Sequence, residues 1–126
     1  MARKKTHDQL TPLELDIMKT LWDSGPSTVQ TVQRQLHARD LAYTTVQTML
    51  NVLHRKGKVK RSLKDRAYLY RPAVTRQRVV AHTLKDLVDR LFGGSAESLI
   101  MSMVQAQHIS TAELARLHRL LDDSKE

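Results

Sequence analysis

Residues 40–72 read DLAYTTVQTMLNVLHRKGKVKRSLKDRAYLYRP. They describe a helix with one apolar face and one short polar face, a glycine stop, and then a basic two-stranded hairpin. At about 100° per residue, Val46, Met49, Leu50 and Leu53 fall in one sector and must face a core. Thr44, Gln47, Thr48, Asn51 and Arg55 fall on the opposite side. Gly57 suits the position just past a helix end, where a left-handed backbone is wanted, so the helix covers about residues 43–56. Beyond it, residues 58–63 and 67–71 alternate weakly, and Val59, Tyr68 and Tyr70 supply the β-branched and aromatic content that favours strands. Lys64, Asp65 and Arg66 read as the turn, Pro72 stops the second strand, and Tyr68 and Tyr70 share a face that packs on the helices.

Working upstream, Thr11-Pro12-Leu13-Glu14 opens a first helix: Thr11 can cap, proline fits the first helical position, and Glu14 completes a capping box. Leu10, Leu13, Ile17 and Leu21 fall on one face with Met18 and Trp22 beside them, and Ser24-Gly25-Pro26 ends the run. A second helix starts at Ser27, with Gln30 three residues on and Val29, Val32 and Leu36 as a narrow stripe, and exits at Arg39-Asp40. The order helix, helix, helix, hairpin is that of a winged helix-turn-helix.

Downstream the pattern is helical. Thr75 precedes a long amphipathic helix carrying Val80, Leu84, Leu87, Val88 and Leu91 on one face, and Gly93-Gly94 breaks it. Ser95 starts a fifth helix with Leu99, Ile100, Met103 and Val104. Ser110 and Glu113 form another capping box ahead of Leu114, Leu117 and Leu121, and the final DDSKE reads as frayed. Three short helices make a poor core by themselves, and their stripes exceed what one chain easily buries, so self-association is expected. The fold class is mainly α with a small β-hairpin wing: a winged helix-turn-helix domain over residues 1–74 and a helical dimerisation domain over residues 75–126.

Composition agrees with two lobes of different task. The chain has 126 residues, no cysteine and a formal net charge of +8. Residues 1–75 hold 14 Lys and Arg against 6 Asp and Glu, whereas residues 76–126 hold 7 of each. The excess charge is confined to the hairpin-bearing lobe, which points that lobe at a polyanion. The absence of cysteine excludes disulfides and thiolate metal sites and fits a reducing cytoplasm. No apolar run approaches the ~20 residues of a membrane span, and the basic start MARKKTHDQL lacks the apolar core of a secretory signal.

These features suit a DNA groove. Gln and Asn can bond adenine through two hydrogen bonds, and Thr can offer its hydroxyl to bases or phosphates and its methyl to thymine. Arg55, late in the helix, is placed for a phosphate. An ordinary solvated helix face would carry Glu and Lys, which favour helix, rather than Thr and Asn. Residues 55–71 add eight Lys and Arg with one acid; Lys64 and Arg66 at the hairpin tip suit phosphate or minor-groove contact. Alternation sends Lys60 and Arg61 to opposite faces, and Arg3, Lys4 and Lys5 could extend as an arm. The alternative is a winged-helix adaptor that binds protein or RNA without operator specificity, but such a module has no need of so concentrated a charge. For an enzyme there is no phosphate-binding glycine loop, nucleophile elbow or metal-ligand pair at helical spacing. The six histidines are scattered, and neither a metal nor a cofactor is called for.

The chain also resembles the penicillinase-repressor family of bacterial transcriptional regulators, the BlaI, MecI and CopY type. The resemblance rests on Leu13-Glu14-Leu15-Asp16-Ile17-Met18 with Trp22, on Ala42-Tyr43-Thr44-Thr45-Val46-Gln47-Thr48, and on Leu53-His54-Arg55-Lys56-Gly57. Arg66-Ala67-Tyr68-Leu69-Tyr70 and Gly93-Gly94-Ser95 before Ser98-Leu99 complete it. It implies a homodimeric cytoplasmic repressor that binds palindromic double-stranded operator DNA with its winged helix, through Thr44, Thr45, Gln47, Thr48 and Asn51, and interlocks through its C-terminal helices. Gln47 and Val52 stand where the staphylococcal repressors carry arginines, so the operator half-site is expected to differ. The copper-responsive branch uses a cysteine cluster that this chain lacks. In the β-lactam branch a membrane sensor protease leads to cutting in the helix after the glycine break; the aligned bond here is Ser102-Met103, in place of that branch's Asn-Phe pair.

Overall fold

The computed structural model describes residues 9–124, so the basic segment Arg3, Lys4 and Lys5 lies outside the described residues. The chain divides between Ala81 and His82 into two compact units, each of which is described by itself.

In the first unit, helix α1 (Pro12–Ser24) begins on the expected capping box: Thr11 Oγ1 accepts from the Glu14 amide, and the Thr11 amide donates to Glu14 Oε1 at 2.8 Å. Helix α2 (Val29–Gln35) begins one residue later than a cap at Ser27 would give, capped by Thr28 instead. The reason is long-range. The Ser27 N–H and C=O are both committed to the Tyr70 backbone, each bond 2.8 Å long, which holds Ser27 extended. A short 3-10 turn (His37–Arg39) leads to Asp40, whose left-handed backbone redirects the chain into helix α3 (Tyr43–Arg55).

Gly57, at φ 76°, ends α3 as expected. Its amide bonds the His54 carbonyl and the Lys58 amide bonds that of Leu53, which satisfies carbonyls the helix leaves open. Strands β1 (Val59–Lys64) and β2 (Ala67–Pro72) then pair antiparallel, in register from Val59 opposite Pro72 to Lys64 opposite Ala67. Both strands run one residue further than expected, because Lys64 pairs instead of turning and Pro72 still occupies the last paired position. The turn is thereby only Asp65-Arg66, with positive φ at both residues (52° and 68°), the backbone of the mirror-image turn that matches strand twist.

The core is where α1, α2, α3 and the base of the hairpin meet. Ile17, Met18, Leu21, Val29, Val32, Val46, Leu50, Leu53, Val59 and Tyr70 are buried together. All four residues assigned to the apolar sector of α3 point inward, Met49 less completely than the others. The two tyrosines part company: Tyr70 is buried, but Tyr68, two residues nearer the tip, has outrun the helices and is 43% exposed.

The second unit contains most of helix α4 (Arg76–Leu91), with α5 (Ala96–Gln105) and α6 (Thr111–Ser124). Thr75 Oγ1 accepts from the Arg78 amide, Ser95 caps α5, and Ser110 with Glu113 closes the capping box of α6. Gly93 and Gly94 adopt positive φ at the break. Of the tail expected to fray, Asp122, Asp123 and Ser124 instead continue α6, where the Ser124 hydroxyl bonds the Leu121 carbonyl, and residues 125 and 126 lie outside the described residues. None of the three helices buries a residue completely. Leu84, Leu91, Met103, Leu117 and Leu121 are exposed, and Leu87, Val88, Leu99 and Leu114 are half-buried.

Candidate nucleic-acid interface

The outer face of α3 carries every side chain that the periodicity assigned to it. Thr44, Thr45, Gln47, Thr48, Asn51 and Arg55 are all exposed. The side chains of Thr44, Thr45, Gln47 and Thr48 have no hydrogen-bond partner among the described residues. The face is held rigidly from behind, since Val46, Leu50 and Leu53 are fully buried on the other side of the same helix.

Asn51 differs from its neighbours. Its Oδ1 accepts a 3.0 Å hydrogen bond from Arg61 Nη1 in β1 and a 3.3 Å bond from the Tyr70 hydroxyl in β2. Arg61 also lies over the Tyr68 ring, 4.2 Å from its centroid. The helix and the wing therefore meet through four side chains, a junction invisible to periodicity because it depends on hairpin register. Arg61 stands opposite Tyr70, and so emerges on the same side of the sheet as the tyrosines. Lys64 and Arg66 are exposed at the tip; Lys64 is three residues beyond Arg61, about 10 Å farther out along the strand.

The back of α3 has its own anchor, which sequence reasoning also missed. Lys56 Nζ donates to both carboxylate oxygens of Glu14, at 2.9 and 2.8 Å. Glu14 is 1% exposed. Burial alone would raise its carboxyl, but the Lys56 bonds, the Thr11 amide and the nearby charge outweigh that and hold it below the usual carboxylate range. This buried pair ties the end of α3 to the start of α1. At the far edge of the hairpin, the Trp22 indole donates to the Val74 carbonyl at 3.0 Å, and Arg76 covers the same ring while pairing with Asp23. No group of three His, Asp or Glu side chains among the described residues is arranged to hold a metal.

The arrangement is thus an exposed helix of short hydrogen-bonding groups, anchored toward its C-terminal end, beside a cationic two-stranded ribbon. The sequence model of the penicillinase repressor family matches residues 10–123. The chain is 36% identical over 111 residues to the transcriptional regulator BlaI of Mycobacterium tuberculosis, covering 86% of this chain and 80% of that protein. It is 23% identical over 118 residues to the penicillinase repressor of Bacillus licheniformis, covering 93% and 92%. Among solved structures, a transcriptional regulator from Thermotoga maritima shares the fold, with a TM-score of 0.52 and 20% identity over 98% of this chain and 80% of that one. With the family pattern running through both α3 and the helices after the wing, the chain belongs to the penicillinase repressor family, a family of DNA-binding transcriptional repressors and not of enzymes.

Proposed function

We propose that the protein represses transcription as a homodimer on palindromic double-stranded operator DNA. Residues 1–74 form the DNA-binding domain and residues 75–126 the dimerisation domain. The observation that carries the reading is the outer face of α3, where Thr44, Thr45, Gln47 and Thr48 stand exposed and unpartnered beside the basic hairpin. In the major groove these side chains match base edges. Asn51 lies on the same face, three residues beyond Thr48, and Arg55, Lys64 and Arg66 serve phosphates. The helices after the wing support dimerisation, since α4, α5 and α6 bury no residue completely within one chain. No helix among the described residues is long and apolar enough to cross a membrane, and this reading places the protein in the cytoplasm with the operator.

The same reading makes Ser102-Met103, within α5, the bond at which a membrane sensor protease system would act to release repression. Met103 is 37% exposed in the single chain. Cutting there would detach the rest of α5 and all of α6 from the dimerisation domain.

The test begins with selection of a duplex by the protein from a randomised pool. A two-fold symmetric consensus is expected, bound with strong salt dependence. Gln47→Ala should relax preference at one base pair per half-site, where a good paired contact is worth about 1–3 kcal/mol of discrimination. Equal affinity for all duplexes, or tighter binding to RNA, would overturn the proposal. Lys64→Gln and Arg66→Gln should behave differently: each weakens all duplexes alike and lowers the slope of log affinity against log salt by about one unit.

A further inference from the structure

We infer that Arg61 is a pre-positioned phosphate clamp at the cleft between α3 and the wing, and that Asn51 and Tyr68 are the positioning residues that hold it. The inference rests on the DNA-binding reading above and gives Asn51 a role other than reading adenine.

The chemistry of the amide decides the point. A guanidinium has only donors, so the Asn51 atom facing Arg61 Nη1 must be the carbonyl oxygen. That oxygen also accepts from the Tyr70 hydroxyl, and two donors fill its two lone pairs. Adenine recognition by asparagine needs the same oxygen to accept from the base while the NH2 donates. The wing has already taken the acceptor half, so Asn51 is left with donors alone.

Arg61 is held differently from the arginines whose ion pairs are resolved. Arg39 pairs with Asp16, Arg76 with Asp23 and Arg90 with Asp86. Arg61 is instead held by an amide oxygen and by the face of Tyr68. Neither neutralises it. Among the described residues no carboxylate compensates its charge, and the remaining N–H groups of the fork have no partner, which leaves them for an oxyanion. A planar fork matches a phosphate through two parallel bonds. Its place suits one too, because it lies between the exposed face of α3 and the wing, the two elements proposed to contact the duplex. Pinning from two sides also removes the side-chain entropy that a free arginine would lose on binding.

The deciding experiment is a double-mutant cycle with Asn51→Ala and Arg61→Ala, measured on the duplex selected by the wild-type protein and on its single-base variants. Arg61→Ala should weaken every duplex about tenfold and lower the salt slope by about one unit. Asn51→Ala should weaken binding by less, leave base preference unchanged, and have little further effect in the Arg61→Ala background. If Asn51→Ala instead relaxes preference at one base pair in both backgrounds, Asn51 reads that base and the proposal is overturned. Strictly additive losses, or an Arg61→Ala protein with unaltered salt slope, would also overturn it. Thermal melting of each variant separates lost contacts from lost fold. Gln47→Ala is measured alongside: base preference that responds to Gln47 keeps the operator-reading proposal intact even where the clamp fails.

Discussion

Replacing Leu117 with glutamate is expected to convert the protein to monomers and to weaken binding to a two-fold operator by about 10²–10⁴-fold. Leu117 sits in the stripe Leu114, Leu117, Leu121 of α6 and is 42% exposed in the single chain. A leucine so placed is cheap to leave in water but gains when a second copy covers it, about 25 cal/mol per Å² of apolar area removed. A glutamate at the same place would have to be desolvated without a partner, which costs several kcal/mol. Linking two half-sites supplies much of the affinity for a palindrome, and that is what monomers lose. Sedimentation velocity checks the first part and a gel shift on full and half operators the second. Half-site binding should persist, because α3 lies in the other compact unit. Dimers of unchanged stability would place the interface on another surface.

The second large effect is expected from Lys56→Met. It would leave Glu14, 1% exposed, with only Thr11 among the described residues to answer a buried charge. Breaking one side of a buried pair typically costs about 3–5 kcal/mol, a large part of the ~5–15 kcal/mol that holds a domain together. Urea denaturation at pH 7 should show it. The double variant Glu14→Leu with Lys56→Met should be less damaging than Lys56→Met alone, since it removes the stranded charge with its partner. The pH dependence carries a sign. In the wild type Glu14 titrates below its ordinary value, so its contribution is complete above the unfolded-state pKa and is lost as pH falls through the depressed folded value. Without Lys56 the largest influence holding the carboxyl down is gone, and it titrates higher than in the wild type. The gap between variant and wild type should therefore be widest near neutrality and shrink in acid. A gap independent of pH would mean that Lys56 acts by packing rather than by charge.

How much of this was legible in the sequence depends on the reach of each interaction. The capping boxes at Thr11 and Ser110 and the glycine stop at Gly57 lie within a few residues of the structure they control, and they read off directly. The outer face of α3 did too, since a helix of 13 residues repeats its period often enough to separate Thr44, Gln47, Thr48 and Asn51 from Val46, Leu50 and Leu53. Pairs distant in sequence did not. Glu14 reads as a capping residue, and nothing local says that it also receives Lys56 from 42 residues away. The start of α2 was misplaced at Ser27 for the same reason. The link from Asn51 to Arg61 was equally hidden, because it depends on the hairpin register. That register is set by a two-residue turn, Asp65-Arg66, which lacks the glycine that usually announces one.

The bridge between Ser27 and Tyr70 bears on how such a protein can diverge. Both of its bonds run between main-chain atoms, so neither depends on which side chains occupy the two positions. The N–H of residue 27 must donate, which bars proline, and the site is 4% exposed, which bars bulk; most other demands are relaxed. A wing fastened to its helix-turn-helix in this way can keep its seat while the residues around it drift, leaving the outer face of α3 free to vary without loosening the frame that holds it.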